Sequence, residues 1–587
     1  MPFEVTAPLQ ESSFSKPKVL IPEKVSPDGL ALLKKSLEVH EKKGLTPEQL
    51  LQIVPEYDAL IVRSETKVTA ELLSAAKKLR VVARAGVGVD NVDVTTATQR
   101  GVIVVNSPSG NINAAAEHTI ALMMATARNI GDACASIKDG KWERSRLTGV
   151  EVKGKTLAII GLGKVGLTVA RAAIGMGMTA VAMDPYANPS MAAAASVTLK
   201  TSLPELLEVA DFLTIHTPLI ASTKGMIGAA ELAQMKPTAR ILNVARGGMI
   251  DEAALLEALE NDKLAGAGID VWTSEPPKPG DTASRLIAHP KVVATPHLGA
   301  STVEAQENVS IDVCEQVIAI LAGELPRSAV NAPIILPEEF RTLQPFVSLV
   351  EKMGSLYTQL YSTPQRSASF RTTFDLTYEG ALTTMKTTQP LFAALVKGLL
   401  TPISSQDGLN INVVNAELVA KERGILINES RSRENVEQKG YSSVVTLRAR
   451  ISRSSSMPRE QQPKTVAGKA TQEQVIQGFV SANIPYISRL DRFASNFVPD
   501  GTLLICRNFD SFGRIGFVGN RLGMAKVNIN FMSVAPLGEE EEEVENGSGR
   551  KDREALMILG VDRPVEDEVV KSLIGDEGVL EASVVVL

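Results

Sequence analysis

The sequence predicts an α/β protein: two doubly wound parallel-sheet units, followed by an α+β region. Chain length, strand–helix alternation and a change of texture past Pro337 predict it. At 587 residues the chain exceeds what one core supports, so three or four domains are expected. VLI (19–21), ALIVR (59–63), VVA (81–83) and VIVV (102–105) read as buried parallel strands separated by helical stretches. A second series follows in TLAII (156–160), AVAM (180–183), FLTI (212–215), RILNV (240–244), AGAGIDV (265–271) and VVAT (292–295). Alternation on this scale is the mark of doubly wound sheets. Beyond Pro337 the pattern changes: 338–497 mixes amphipathic helix with short strands, and 498–587 reads as a compact βαββαβ unit.

Composition narrows the classes. With 44% hydrophobic and 22% charged residues, the chain is globular. A net charge of −6 argues against nucleic-acid binding, which needs a basic surface. The three cysteines, Cys134, Cys314 and Cys506, lack metal-ligand spacing and suit a reducing cytoplasm, so neither a metal site nor a disulfide framework is expected. No apolar run is long enough to span a bilayer, and no membrane partner is expected. The first 17 residues, with two glutamates and no arginine, read as a frayed tail. The polar stretch 452–471 and the acidic-then-basic run 538–553 read as solvated loops.

The strand TLAII runs into Gly161-Leu-Gly163-Lys164-Val165-Gly166 and then a helix. Gly161 permits a tight turn, Gly163 lets backbone approach a pyrophosphate, and Gly166 allows close helix–strand packing. The helix N-terminus offers free N–H groups to phosphate. The next strand, AVAM, ends at Asp184, whose carboxylate can accept from both ribose hydroxyls and would repel a 2′-phosphate. The expected cofactor is therefore NAD.

Three polar residues follow later strand ends, where ligands bind in such sheets. They are Arg246 in NVARGGMID, Glu275 in DVWTSEPP and His297 in ATPHLGAS. Removing hydride from C2 of a 2-hydroxy acid requires a base near neutral pKa, which histidine supplies. Glu275 would orient the ring, and Arg246 would bind the substrate carboxylate. Of the other histidines, His216 in HTPL is expected to line the cofactor cleft or to be structural. His40, His118 and His289 are expected to lack comparable partners.

At these motifs the chain resembles the D-2-hydroxyacid dehydrogenase family, over most of residues 18–335. The resemblance implies an Arg246–Glu275–His297 catalytic set, with Asp270 near the nicotinamide. Thr217, Pro218, Ala245 and Gly299 join the cofactor set through the same motifs. It also implies that a Rossmann cofactor domain (109–296) is inserted in a flavodoxin-like substrate domain (18–108 and 297–335). An intervening domain (338–497) and a ferredoxin-like ACT domain (498–587) would follow.

VRSETKVT (62–69), ARAGVGVDNVD (83–93), KWERSRLTG (141–149) and GELPRSAVNAP (323–333) resemble the D-3-phosphoglycerate dehydrogenase branch. The glycines Gly86 and Gly88, flanking Val87, can turn N–H groups to a carboxylate. Arg63 beside Ser64, Arg84 and a neighbouring subunit's Arg144 would grip a phosphate. The implied substrate is 3-phosphoglycerate, at the entry to L-serine biosynthesis, in a homodimer or homotetramer. The tail resembles the same branch, in which paired ACT domains bind amino acids. Asn508, Asp510 and Asn528, flanking Gly513, are the candidate L-serine contacts. Phe512 departs from the pattern, standing where a proline normally precedes the turn glycine. Two other readings stay open: a reductase acting on glyoxylate, hydroxypyruvate or 2-oxoglutarate, and a non-catalytic NAD-sensing interaction protein of the same fold.

Overall fold

The computed structural model describes residues 16–333, 335–361, 370–404, 410–432, 441–453, 473–536, 554–574 and 579–587. Residues 1–15 of the N-terminal tail, the polar stretch beyond Arg453 and the run 538–553 lie outside the described residues.

The first sheet holds β1 (Lys18–Ile21), β2 (Glu38–Glu41), β3 (Ala59–Val62), β4 (Val81–Arg84) and β5 (Ile103–Asn106). All are parallel, in the order β2-β1-β3-β4-β5. That is the flavodoxin-like order, whose direction reverses between β1 and β3. The expected apolar runs form the buried strands. β2, with sequence EVHE, was not expected as a strand. It lies on the sheet edge, half-exposed, where burial does not demand an apolar run.

The second sheet holds β6 (Thr156–Ile160), β7 (Thr179–Met183), β8 (Val197–Leu199), β9 (Phe212–Ile215), β10 (Arg240–Asn243), β11 (Gly266–Ile269) and β12 (Val292–Ala294). It is parallel in the order β12-β11-β10-β9-β6-β7-β8 and reverses between β6 and β9. The three-residue edge strand β8 is again one that periodicity does not reveal. Helix Ile112–Ala127 rides close on this sheet because Gly268 of β11 lacks a side chain. A Cβ there would stand 3.0 Å from Thr126 Oγ1 and 2.8 Å from Leu242 Cδ2. Helix Val303–Leu321 returns to the first sheet, burying Val313, Cys314 and Val317 in its core. Arg80 donates to the terminal carbonyls of Leu321 (3.2 Å) and Ile320 (3.3 Å), satisfying acceptors the helix leaves open.

The tail departs from expectation in strand length. Its six-stranded sheet contains β13 (Phe370–Gly380), β14 (Leu426–Arg431), β15 (Ser443–Arg453), β16 (Gln474–Ser481), β17 (Ile484–Leu490) and β18 (Phe493–Phe497). β13 and β15 each run 11 residues rather than being short, paired antiparallel along their whole length. Polar residues on one face break up the apolar runs. The last sheet, β19 (Thr502–Phe509), β20 (Ile529–Pro536), β21 (Glu554–Val561) and β22 (Val579–Val586), has the order β20-β21-β19-β22. With helices Arg514–Met524 and Asp567–Leu573 it is the expected βαββαβ unit, ferredoxin-like in strand order. The two tail sheets share one core around helix Pro337–Tyr361. Leu349, Met353 and Leu356 cluster with Leu376 and Leu447 of one sheet and with Ile505, Ile558 and Val585 of the other. Gln359 exchanges two 2.9 Å hydrogen bonds with the backbone of Val586. Among the described residues, no helix is long and apolar enough to cross a membrane.

The same long helix crosses helix Gln389–Leu400 through glycines. A Cβ on Gly398 would lie 2.0 Å from Glu351 O. Gly398→Ala should therefore force the helices apart and cost about 1–3 kcal/mol. The expected readout is a lower melting temperature and faster amide exchange in residues 389–400, with exchange in β6–β12 unchanged.

Candidate active site

Gly161 ends β6 with φ +91°, and a Cβ on it would strike His216 O at 2.7 Å. Only glycine fits this turn. Gly166 lies under it, its Cβ position 2.1 Å from Gly161 O, while a Cβ on Gly163 would meet nothing within 4 Å. Gly161 and Gly166 thus answer the steric demands their positions predict, and the space beside Gly163 is open. Asp184 folds back on this turn: its carboxylate accepts from Leu162 N and Tyr186 N, both at 2.8 Å. Lys164 and Val165 start the helix, and Lys164 Nζ donates to Ser109 Oγ at 2.8 Å. His216, Thr217 and exposed Pro218 line the far side after β9. Burial pushes the His216 imidazole down to about 4, so it is neutral at physiological pH.

His297 Nδ1 lies 2.8 Å from Glu275 Oε2, and Glu275 Oε1 accepts from Trp272 N at 2.9 Å. Burial pushes the Glu275 carboxyl up, but the bonds from His297 and the Trp272 N–H outweigh it and leave it lowered. His297 sits in the left-handed region at φ +56°, a costly conformation for a non-glycine residue. Asp270, fully buried, holds that loop. Its carboxylate accepts from Leu298 N (2.7 Å), Gly299 N (2.8 Å) and Thr295 Oγ1 (2.6 Å), and its carbonyl accepts from His297 N (2.8 Å). A pocket of about 390 Å³ opens beside the pair, walled by Trp272, Pro276, Ile287, Ala294 and Pro296.

Arg246 faces the first sheet. Its Nε donates to Asp90 Oδ2 at 3.1 Å and its Nη1 to Ala245 O at 2.7 Å. Gly88 leaves room for it: a Cβ there would lie 1.9 Å from Arg246 Nη2. Gly86 does the same for Arg84, with a Cβ position 1.6 Å from Arg84 Nη1. Burial, and then the nearby positive charge of Arg246, push Arg84 down to about 10, with Arg63 adding to the effect. Arg84 Nε is buried, with no hydrogen-bond partner among the described residues. Three guanidinium groups thus converge between the sheets beside the Gly86–Val87–Gly88 loop and the Arg63–Ser64 loop. A small dianion would relieve that crowding.

Not every candidate residue bonds to the others within one copy of the chain. Among the described residues, Arg246 bonds to Asp90 and Ala245, not to Glu275 or His297. Arg144 is exposed on the 139–149 segment. Asn508 is not in a loop but buried within β19, its Nδ2 donating to Phe509 O at 2.9 Å. Asp510 is exposed just beyond β19, whereas Asn528 precedes β20 at the opposite end of the sheet, because Ile529 and Thr502 both lie level with Val561. Two histidines expected to lack comparable partners have a carboxylate beside them. His118 Nε2 is 3.2 Å from Asp270 Oδ1, and His40 Nε2 is 3.0 Å from Glu38 Oε1. Asp90 and His118 were missed because their partners are remote in sequence, with no local motif to mark them.

A dinucleotide turn and a histidine–carboxylate pair at the strand ends of one doubly wound sheet make this a nicotinamide-dependent dehydrogenase. Comparison agrees. Residues 120–299 match the D-isomer specific 2-hydroxyacid dehydrogenase NAD binding domain, and 342–476 the D-3-phosphoglycerate dehydrogenase intervening domain. The chain is 41% identical to D-3-phosphoglycerate dehydrogenase 2, chloroplastic, of Arabidopsis thaliana, over 96% of this chain and 86% of that one. It is 39% identical to the D-3-phosphoglycerate dehydrogenase of a Synechocystis species, over 98% and 96%. A Polaromonas structure described as a D-isomer specific 2-hydroxyacid dehydrogenase shares the fold. It has 24% identity and a TM-score of 0.50, covering 54% of this chain and 99% of its own. The chain belongs to the D-3-phosphoglycerate dehydrogenase family.

Burial pushes the Asp270 carboxyl up, but hydrogen bonds from His118, Thr295 and the Leu298 N–H more than offset this and hold it below the usual range. A depressed folded-state value means its stabilisation is complete above the unfolded value, about 4, and is lost as pH falls below it. Asp270→Asn should cost about 1–3 kcal/mol at pH 7. Its urea midpoint should approach that of the parent chain below about pH 4.

Proposed function

We propose that the enzyme oxidises C2 of 3-phosphoglycerate to give 3-phosphohydroxypyruvate, opening L-serine biosynthesis. The observation that carries this reading is the buried Arg84 Nε, without a hydrogen-bond partner among the described residues, amid three converging arginines. Arg246 and the Gly86–Gly88 backbone suit the C1 carboxylate, while Arg84, Arg63 and Ser64 suit the phosphate. When bound at the Gly161 turn, NAD supplies the hydride acceptor. Asp184 is placed to favour it over NADP, since a 2′-phosphate would meet a carboxylate. His297 Nε2 is left to take the C2 hydroxyl proton, because Nδ1 is committed to Glu275. Glu275, held ionised, then stabilises the imidazolium. Trp272, Pro276 and Ile287 line the pocket that opens beside that pair. Asp270 orders the loop that presents both His297 and Gly299.

A homodimer or homotetramer fits the exposed apolar side chains of Ile130, Ile137 and Trp142 (78% exposed), which flank Arg144 and suit burial against another subunit. The domains we assign are 18–108 with 297–335 for substrate, 109–296 for NAD, and 338–497 with 498–587 for regulation. A cytoplasmic site accords with three free cysteines, two of them buried.

Turnover tests the chemistry. Across a panel of 2-hydroxy acids, NADH formation should be fastest with 3-phosphoglycerate. His297→Gln should lower kcat by roughly two to four orders of magnitude while NADH still binds. Near-normal turnover in that variant would remove His297 from the role.

For the tail, we propose that L-serine binds between two copies of the last sheet. β20 is an edge strand, and antiparallel pairing of two β20 strands would bring Asn528 of one copy to the Asn508–Asp510 end of the other. Asp510 would accept from the ammonium group and the asparagines would hold the carboxylate or hydroxyl. Calorimetry should show L-serine binding, abolished in Asp510→Ala. No heat at millimolar L-serine would leave the sheet an assembly module.

A further inference from the structure

The first sheet reverses direction between β1 and β3, and two loops leave its strand ends there. One carries Glu23, the other Arg63 to Thr66. Glu23 is only 7% exposed, and it spends its carboxylate on the neighbouring loop's backbone. Oε1 accepts from Arg63 N at 2.9 Å and from Thr66 N at 3.0 Å, and Oε2 from Glu65 N at 3.3 Å. Asn91 holds the same loop by its carbonyls, Nδ2 donating to Arg63 O at 2.8 Å and to Thr66 O at 2.7 Å. The Arg63–Thr66 segment has no regular structure of its own, so these five bonds set its shape.

We propose that Glu23 is a specificity-determining positioning residue, which folds the Arg63–Thr66 loop into the part of the cleft that takes the phosphate of a phosphorylated 2-hydroxy acid. This rests on the substrate reading given above. Two features favour that role over simple loop capping. The anchored loop carries the two side chains, Arg63 and Ser64, that the substrate reading assigns to the phosphate rather than to the C1 carboxylate. The anchor is also an acid beneath a cationic cluster. Its charge attracts Arg84, whereas Arg246 and Arg63 repel it, so Glu23 helps hold the guanidinium groups together before an anion arrives. A neutral glutamine would keep the shape but lose that attraction, and its amide N–H₂ would face backbone N–H groups.

The test compares the wild-type enzyme, Glu23→Gln and Asn91→Ala on 3-phosphoglycerate and on glycerate, the same 2-hydroxy acid without a distal anion, with NADH affinity followed by fluorescence. In both variants, the ratio of kcat/KM for the phosphorylated over the unphosphorylated substrate should fall about tenfold or more. The loss should lie mainly in KM for 3-phosphoglycerate, with NADH affinity retained. Equal losses on both substrates, or no loss, would overturn the assignment and leave Glu23 a structural acid. Should Glu23→Gln fail to fold, Asn91→Ala alone decides, since it loosens the loop without touching the buried charge. A wild-type enzyme indifferent to phosphate would instead overturn the substrate reading itself.

Discussion

The candidate active site depends on one buried carboxylate. Asp270 ends a parallel strand with no exposure to solvent, where an unpaired charge would be expensive. It is tolerated because Thr295, His118 and two backbone N–H groups turn their hydrogens to it. Those bonds wrap residues 295–299 around the strand end and offset the cost, about 1–2 kcal/mol, of a left-handed histidine. With its backbone in that conformation, His297 points Nδ1 at Glu275. An ordinary β-region backbone at 297 would send the ring elsewhere, and the pair with Glu275 would not form.

A related device recurs at the first sheet's reversal point. There too an acid at one strand end takes the N–H groups of the loop leaving the next, Glu23 holding 63–66. In each case the carboxylate takes backbone N–H groups of the neighbouring loop. A doubly wound sheet places its binding loops at one edge but does nothing to shape them. Buried acids give these loops fixed form without rigid secondary structure.

How much of this the sequence discloses follows from the range of each interaction. Buried parallel strands were legible because both faces need β-branched residues, and the glycine turn because each glycine answers a local steric demand. Glu275 and His297 were legible because both follow strand ends within recognisable motifs. His118 was not: its partner Asp270 lies 152 residues away, and a histidine on an apolar helix looks inert. Glu23 and Asp90 were hidden for the same reason. That Asn528 and Asp510 of one copy lie at opposite ends of the sheet was not legible, because sequence proximity to Gly513 says nothing of strand direction. β21 lies between β19 and β20, which makes those two parallel and puts the end of β19 and the start of β20 at opposite ends of the sheet. The long tail strands were under-read because polar residues facing solvent interrupt their apolar runs.

The tail's shared core limits how it can influence catalysis. Because helix Pro337–Tyr361 is packed against both tail sheets, they cannot slide past one another without opening a close-packed interior. Displacement of the last sheet must therefore carry the intervening sheet with it. That body meets the catalytic unit at Gly101, whose carbonyl accepts from Asn410 Nδ2 at 2.9 Å and Asn412 Nδ2 at 2.7 Å. Gly101 stands just before β5. At the far end of that strand Asn106 donates to Val87 O, and Ser107 N donates to Gly86 O at 2.9 Å. The tail thus grips one end of a strand whose other end holds the Gly86–Val87–Gly88 loop. A ligand on the tail alters catalysis only insofar as it binds two placements of that body unequally. β5 is the covalent and hydrogen-bonded element that both the tail and the candidate carboxylate loop share.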